Sequence, residues 1–155
     1  MPVQVCSSRG DVVVHSLCII DTQRHREEGG HGNEYVVYLI ESSLVVHGVR
    51  TTLRSARRFK HFIMLDQLLQ QQFGRLVPQE MPAKRAFGNL HPGFVEERRS
   101  ALERYLQLCL AIPELASSSS FLMFLEAGTP GSALGCGGME YETYFEKLSH
   151  VDATA

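Results

Sequence analysis

The feature that most constrains this fold is a single change of hydrophobic period near residue 58. Before it, the apolar runs are rich in Val, Ile, Thr and Tyr, a composition typical of β-strands. After it, apolar residues recur every three or four positions, at Phe62, Leu65, Leu69 and Phe73, which is the period of an amphipathic helix. Strands that precede helices predict an α+β fold, with a small antiparallel sheet packed against a helical subdomain.

Three candidate strands occupy the first part of the chain, at residues 11–21, 35–44 and 45–55. The links between them are too short for the crossover that parallel neighbours need, so we expect a meander of three antiparallel strands. Two places offer a turn between the second and third strands: the polar residues 41–43 and the His-Gly pair at 47–48. The sequence alone does not decide between them.

Helices are predicted in the second part of the chain. The first begins at Phe59 and ends before Gly74, a residue that commonly terminates helices. The next covers about 95–111, and two short helices cover 112–116 and 118–126. Between the first two helices lies an irregular, proline-containing loop, and a segment of that length is either functional or a lid.

The chain of 155 residues has the length of one domain with a tail. We expect an N-terminal extension over 1–10, the domain over 11–126, and a flexible linker with an acidic tail over 127–155. The linker followed by an aromatic, acidic segment favours a fragment of a larger protein or an added tail.

Charge is unevenly distributed along the chain. The formal net charge is only −2, which argues against a general binder of nucleic acid. Between Arg50 and Arg104, however, there are 11 lysines and arginines and only 5 acidic residues. This basic middle, with acidic flanks on both sides, favours an anionic partner.

The sequence contains no pattern of catalytic or metal-binding residues: no nucleophile elbow, no glycine-rich phosphate loop and no metalloprotease helix. The four cysteines lack zinc-ligand spacing, and Cys109 falls in an apolar helical stripe where a buried free thiol is expected. The apolar runs are too short for a transmembrane helix, and no signal peptide is recognised. We therefore predict a non-catalytic protein without metal or cofactor, in a reducing, cytoplasmic compartment.

The second predicted helix carries an apolar stripe with the spacing of a buried face, made of Leu102, Tyr105, Leu106, Cys109 and Leu110. One turn earlier the same face holds Arg98, so this arginine is expected to point inward. Arg99 falls on the other face and is expected to be solvated, with Glu103 as its ion-pair partner. A buried guanidinium needs an anion. Either Asp66 or Glu97 supplies an internal salt bridge, or the anion is a ligand.

A pair of arginines, Arg57 and Arg58, directly precedes the aromatic Phe59. Successive side chains alternate across a strand, so one arginine faces the helices and the other faces out. Adjacent arginines on a surface strand are ordinarily solvated. Phe59 favours a different interpretation, because a flat ring can support a sugar-like or inositol ring while an arginine binds its phosphate with two hydrogen bonds.

The irregular loop adds a third cation and two apolar residues. Pro78 and Pro82 stiffen the approach to Lys84, and lysine binds phosphate as a point charge. Phe87 and Leu90 are apolar residues in a polar loop. Either they line the edge of the core or they insert partly into a bilayer.

Taken in order, three segments resemble the PX (phox homology) domain family: RRFKHFIMLDQLLQQQF, VPQEMPAK and FVEERRSALERYLQLCLAIPELASSSSFLMFLE. The similarity covers roughly residues 10–126. It implies a three-stranded sheet against a helical subdomain with a proline-containing loop. It also implies a sorting-nexin-like module of protein transport that binds phosphoinositide headgroups, most often phosphatidylinositol 3-phosphate, and associates peripherally with endosomal membranes.

On this resemblance, four residues form the phosphoinositide site. Arg58 would hold the 3-phosphate, whereas Arg57 would remain on the strand surface. Phe59 would pack beneath the inositol ring, and Lys84 would contact the 1-phosphate. Arg98 would bind the ring hydroxyls on the far side.

The sequence departs from the family pattern in two ways. The loop prolines are four residues apart rather than densely spaced, which argues against binding of a polyproline-recognising domain. The membrane-facing loop is short, so Phe87 and Leu90 would be modest anchors and recruitment would depend on avidity. The alternative function is a PX-like protein-interaction domain with weak or no lipid selectivity. Further protein partners would be reached through the rest of a larger protein.

Overall fold

The strands precede the helices, as the change of hydrophobic period predicts. The computed structural model describes residues 12–27, 33–85, 88–126 and 141–149. Within these ranges the strands are β1 (Val12–Arg26), β2 (Glu34–Val46) and β3 (Val49–Arg58). They form one sheet in the order β1-β2-β3 with antiparallel pairing throughout, so the predicted meander is confirmed.

The turn between β2 and β3 is formed by His47 and Gly48. Both residues have positive φ, 49° and 80°, which is the backbone that a two-residue type I′ hairpin requires. This pair is therefore the correct one of the two predicted turn sites, whereas Glu41 lies within β2. As a consequence, β3 begins at Val49 rather than at residue 45.

The helices are α1 (Phe59–Phe73), α2 (Pro92–Leu110), α3 (Pro113–Ala116), α4 (Ser119–Leu125) and α5 (Tyr141–Ser149), with a 3₁₀ turn at Gly74–Leu76. The predicted limits of the first helix are confirmed, and Gly74 ends it with φ 55°. α2 begins earlier than predicted because Pro92 occupies the first helical turn, where a missing N–H costs nothing. None of the described helices is long and apolar enough to cross a bilayer.

The core lies between the sheet and the helices, and a chain of aromatic rings connects its layers. Tyr38 of β2 meets Phe62 of α1 edge to face, with ring centroids 5.9 Å apart. Phe62 meets Phe124 of α4 at 4.9 Å, and Phe124 meets Tyr141 of α5 at 5.3 Å. Each such pair contributes about 0.5–1.5 kcal/mol beyond its burial. α5 thus packs on this core, while the predicted domain boundary at residue 126 stays a prediction.

Two side chains of α2 satisfy the backbone of the edge strand β1. The Ile19 N–H donates to Glu103 Oε1 at 2.9 Å, and Arg99 Nη1 donates to the Ile19 carbonyl at 3.2 Å. Arg99 was expected to be solvated, but its side chain is only 23% exposed. It lies 3.5 Å from the predicted partner Glu103 and closer, at 2.8 Å, to Glu96. The helix repeat predicts which face of α2 carries Arg99. It does not predict that the edge strand β1 lies against that face.

Candidate functional site

A cleft of about 220 Å³ opens where the end of β3 meets the start of α1. It is lined by Glu34, Tyr35, Val36, Tyr38, Arg58, Phe59, Lys60, Asn89, Leu90 and Arg98. The structure therefore brings together three of the four residues expected to bind a headgroup, Arg58, Phe59 and Arg98. Lys84, the fourth, does not line the cleft.

Arg58 is the last residue of β3 and the N-cap of α1. Its guanidinium carbon lies 3.8 Å from the centroid of the Tyr35 ring, and Tyr35 in turn stacks on His25, its cross-strand partner in β1. One guanidinium nitrogen is 3.3 Å from Glu27 Oε1. Because Glu27 is exposed, this ion pair is weak. The aromatic ring thus orients Arg58, and an anionic ligand needs to displace only one solvated carboxylate.

Arg98 points inward, as the helix repeat predicts, and only 8% of its surface is exposed. Its guanidinium carbon lies 3.7 Å from the centroid of Phe59 and 4.5 Å from that of Phe94. Burial lowers the pKa of Arg98, and the nearby Tyr38 hydroxyl offsets part of that effect. The guanidinium remains charged at neutral pH because its ordinary pKa is so high.

The internal salt bridge considered for Arg98 is not formed. Asp66 accepts instead from the Tyr105 hydroxyl at 2.7 Å, and Glu97 is exposed on the helix surface. Within the described ranges no carboxylate pairs with Arg98, and its Nε is buried without a hydrogen-bond partner. A buried guanidinium without an anion is costly. Of the two explanations that the sequence leaves open, the described residues do not supply the internal salt bridge, and the ligand anion stays a prediction.

Arg57 is not strand surface, and this prediction was wrong. Its guanidinium donates to the carbonyls of Phe124 at 2.9 Å, Met123 at 3.1 Å and Glu126 at 2.7 Å. These carbonyls belong to the C-terminal end of α4, where backbone oxygens lack partners within the helix. Arg57 pairs with the buried Tyr38 across the strands, and paired residues share a face of the sheet. That register directs Arg57 toward the helices.

Lys60 and His61 connect the rim of the cleft to α5. Lys60 Nζ lies 2.8 Å from Glu142 Oε1, and His61 Nε2 lies 2.9 Å from the same oxygen. His61 Nδ1 accepts from the Arg58 N–H at 2.9 Å, so Nε2 carries the proton and donates to Glu142. These two donors lower the pKa of Glu142 to about 2. Burial lowers the pKa of His61.

The loop residues occupy different environments. Lys84 is exposed and contacts no partner within the described residues. Leu90 is half-buried, lines the cleft, and its carbonyl accepts from Arg24. Phe87 lies outside the described residues. Arg85, which no sequence pattern distinguishes from other loop cations, lies over the ring of Phe94 with its guanidinium carbon 4.4 Å from the centroid.

In the described ranges the metal-ligating side chains and the buried thiol form neither a metal site nor a reactive nucleophile. No three His, Cys, Asp or Glu side chains there are placed to share a metal ion. Cys109 is fully buried and free, as predicted, and burial raises the pKa of its thiol to about 12. A thiol with that pKa is inert as a nucleophile.

The sequence model of the PX domain family matches residues 46–128, more than half of the chain. Mouse sorting nexin-19 is 30% identical over 138 residues, which cover 79% of this chain and 14% of that protein. The vacuolar protein sorting-associated protein vps5 of Schizosaccharomyces pombe is 33% identical over 97 residues, which cover 61% of this chain and 17% of that protein. The chain thus spans less than a fifth of the length of either relative.

Solved structures show the same architecture. The mouse SNX19 PX domain with bound sulphate ion has a TM-score of 0.61 and 27% sequence identity, covering 74% of this chain and 97% of that chain. A designed CISK-PX domain has a TM-score of 0.58 and 29% identity, covering 73% of this chain and 100% of that chain. The predicted fold, a three-stranded sheet against helices, is confirmed. With the family match over 46–128, it follows that the chain belongs to the PX domain family, whose members are phosphoinositide-binding modules of membrane traffic.

Proposed function

We propose that this PX domain binds phosphatidylinositol 3-phosphate in the cleft between β3, α1 and α2, and so recruits its protein from the cytoplasm to endosomal membranes. The observation that carries the proposal is the buried, anion-free guanidinium of Arg98, in the same cleft as Arg58. A ligand that supplies negative charge and hydrogen-bond acceptors relieves the cost of that burial. The similar mouse SNX19 PX domain holds a sulphate ion, an oxyanion of the same shape as phosphate.

The charges that line the cleft suit a phosphorylated ring. Arg58, Lys60 and Arg98 are cationic, and Glu34 is the acidic residue among those lining it. Arg58 is placed to bind the 3-phosphate with two hydrogen bonds, a geometry that guanidinium favours. Phe59 contributes a flat ring beside it, although the guanidinium of Arg98 lies over the centre of one face of that ring, 3.7 Å from the centroid.

The rest of the headgroup would be held from the opposite side and from the loop. Arg98 is proposed to donate to ring hydroxyls, and Lys84 to contact the 1-phosphate at the mouth of the cleft. Lys84 is exposed and without a described partner, so reaching the phosphate does not require breaking an ion pair. Phe87 and Leu90 are proposed to contact the bilayer beside the headgroup.

The module is proposed to act within a larger protein of membrane traffic. Its relatives include sorting nexins, and the matched region covers 14% of the length of one of them and 29% of another. A single modest membrane contact gains strength when further domains bind the same membrane or its proteins. Protein partners are therefore proposed to engage the rest of the protein, and the domain itself is proposed to be non-catalytic.

The decisive test compares two arginines of the same strand. Arg58→Gln is expected to reduce binding to vesicles containing phosphatidylinositol 3-phosphate at least about tenfold, because a charge-assisted bidentate contact is lost. Arg54→Gln is the matched control, since Arg54 is exposed and pairs with Glu41 away from the cleft. Vesicle flotation and circular dichroism would report binding and folding.

Three outcomes distinguish the candidate functions. Loss of binding by Arg58→Gln alone, with the fold intact, supports the headgroup site. Equal binding by the wild type and Arg58→Gln contradicts it. Absence of binding by the wild type across a panel of phosphoinositides would favour the alternative function, a PX-like domain for protein interaction.

A further inference from the structure

A carboxylate of α5, that of Glu142, lies against the first turn of α1. One of its oxygens is 2.8 Å from Lys60 Nζ and 2.9 Å from His61 Nε2. Lys60 lines the cleft in which the headgroup is proposed to bind, and the neighbouring His61 accepts from the Arg58 N–H. α5 therefore places a negative charge beside a cation of the cleft.

The position of α5 does not depend on this charge alone. α5 lies beyond residues 46–128, the part of the chain that matches the PX family model. It is nevertheless docked on the core, because Tyr141 is 1% exposed and its ring packs edge to face on Phe124, with centroids 5.3 Å apart. The Tyr141 hydroxyl also donates to the Ser120 carbonyl at 3.3 Å. These contacts hold Glu142 close to Lys60.

The first turn of α1 attracts an anion that α1 itself does not supply. The N-terminal turn of a helix carries a partial positive charge, which favours negative groups nearby. The first turn of α1 contains no acidic residue and carries Lys60 instead. Hydrogen bonds from Lys60 and His61 lower the pKa of Glu142 to about 2, so this carboxylate is ionised at neutral pH. A phosphate in the cleft would be attracted by the same positive charge.

The pair of Lys60 and Glu142 is weak enough to be exchanged for a ligand. Their side chains are 45% and 43% exposed, and exposed ion pairs contribute little to stability because water screens them. Lysine carries its charge on a flexible four-carbon stem, so the ammonium can move from the carboxylate to another anion. Glu142 also repels a phosphate that approaches Lys60. Its effect is therefore to reduce the affinity for a headgroup, not to block the cleft.

We infer that α5 is an inhibitory element of this domain: when docked, it competes through Glu142 with the headgroup for Lys60. This inference rests on the proposed function and concerns the regulation of the same cleft. Coupling between two binding equilibria is reciprocal, so headgroup binding weakens the docking of α5 by the same factor by which docking weakens headgroup binding. Any interaction that holds α5 away from α1 therefore strengthens recruitment to the membrane.

The first experiment removes the charge of Glu142 and keeps its shape. Calorimetric titration of the full 155-residue chain with inositol 1,3-bisphosphate compares the wild type with Glu142→Gln, whose side-chain oxygen can still accept from His61. Glu142→Gln is expected to bind about two- to fivefold more tightly, the range that corresponds to an exposed ion pair. Glu146→Gln removes the same charge from an exposed position one turn further along α5 and should match the wild type.

The second experiment asks whether the effect passes through Lys60 and through the docking of α5. In a Lys60→Gln background, Glu142→Gln should lose most of its effect on affinity, because the contested cation is absent. In the wild type, amide hydrogen exchange of α5 should become faster when the chain is saturated with inositol 1,3-bisphosphate. A role of Glu142 in stability alone would produce neither result.

Several results would overturn the inference. Binding by Glu142→Gln that is equal to or weaker than that of the wild type contradicts competition. A gain that is undiminished in Lys60→Gln, or that Glu146→Gln reproduces, assigns the effect to net charge. Slower exchange of α5 with the headgroup bound would mean that docking and binding cooperate.

Failure of this inference is distinguishable from failure of the proposed function. If Glu142→Gln matches the wild type while Arg58→Gln loses binding, α5 does not inhibit the cleft, but the proposed function stands. If the wild type binds neither inositol 1,3-bisphosphate nor vesicles with phosphatidylinositol 3-phosphate, both fail together. Circular dichroism of each variant checks that the fold is intact.

Discussion

Arg57 and Arg58 are neighbours in the chain, yet the register of the sheet gives them different partners. Arg57 pairs across the strands with the buried Tyr38, and its guanidinium caps the C-terminal end of α4. Arg58 pairs with Val37 and stands at the cleft over Tyr35. Arg57 therefore caps a helix that lies far along the chain, whereas Arg58 lines the cleft where the headgroup is proposed to bind.

Because Arg57 caps the end of α4, its replacement is predicted to lower the free energy of unfolding. Arg57→Met keeps the aliphatic packing but leaves three carbonyls of the α4 end without their charged donor. We expect the free energy of unfolding to fall by about 2–4 kcal/mol, measured by urea denaturation. Arg50→Met, at an exposed position of the same strand, is the control and should change it by less than about 0.5 kcal/mol. A loss at Arg57 no larger than the control would contradict the capping role.

How far the sequence predicts a residue depends on how local its environment is. The burial of Arg98 follows from the helix repeat alone, because its neighbours on the stripe lie one or two turns away. The role of Arg57 depends on the pairing of β2 with β3 and on where α4 ends, 66 to 69 residues further on. Neither is encoded near Arg57, so the local pattern suggested solvated charge.

At the scale of elements, α5 is attached to α4 by an apolar contact and to α1 by polar contacts. Tyr141 is 1% exposed and packs on Phe124. One carboxylate oxygen of Glu142 accepts hydrogen bonds from both Lys60 and His61. The sequence predicts a linker and an acidic tail over residues 127–155, and it does not decide whether the tail contains a helix. It could not show the docking, because the residues that receive α5 lie on a helix that is distant in sequence.

These contacts predict that acid loosens α5. The folded-state pKa of Glu142 is about 2, below its ordinary 4.5, so its contribution is present above pH 4.5 and is lost as the pH falls toward 2. The folded-state pKa of His61 is also lowered, so folding favours its neutral form, and stability is lost as the pH falls below 6.5. Both effects have the same sign.

Amide hydrogen exchange of α5 measures this loss. Protection should decrease as the pH falls below 6.5, where the undocked state begins to take up a proton on His61, and further below pH 4.5, where the undocked state begins to take up a proton on Glu142. Glu142→Gln should remove the second decrease, whereas Glu146→Gln, an exposed change on the same helix, should retain it. Protection that is unchanged down to pH 4, corrected for intrinsic exchange rates, would show that these groups do not hold α5.

At the scale of the whole molecule, the basic middle of the chain serves two purposes. Several of its cations are used within the fold: Arg57 caps a helix, Arg54 pairs with Glu41, and Arg99 pairs with Glu96. A different set, including Arg58 and the buried guanidinium of α2, faces the cleft. Charge counted along the sequence thus favours an anionic partner but overstates how much charge the partner meets, because the count includes ion pairs that only folding forms.

Because Arg98 lines the cleft, its replacement is predicted to affect ligand binding rather than stability. An unpaired buried guanidinium costs stability, so Arg98→Met should leave the free energy of unfolding unchanged within about 1 kcal/mol or raise it. The same change should abolish stabilisation by inositol 1,3-bisphosphate, which in the wild type reaches about 2.7 kcal/mol at 100 times the dissociation constant. Denaturation with and without the headgroup measures both effects, and Arg104→Met should retain the full ligand response. A loss of more than about 2 kcal/mol in the ligand-free protein would instead make Arg98 a structural residue, because it would mean that stacking on Phe59 and Phe94 outweighs the cost of burying the charge.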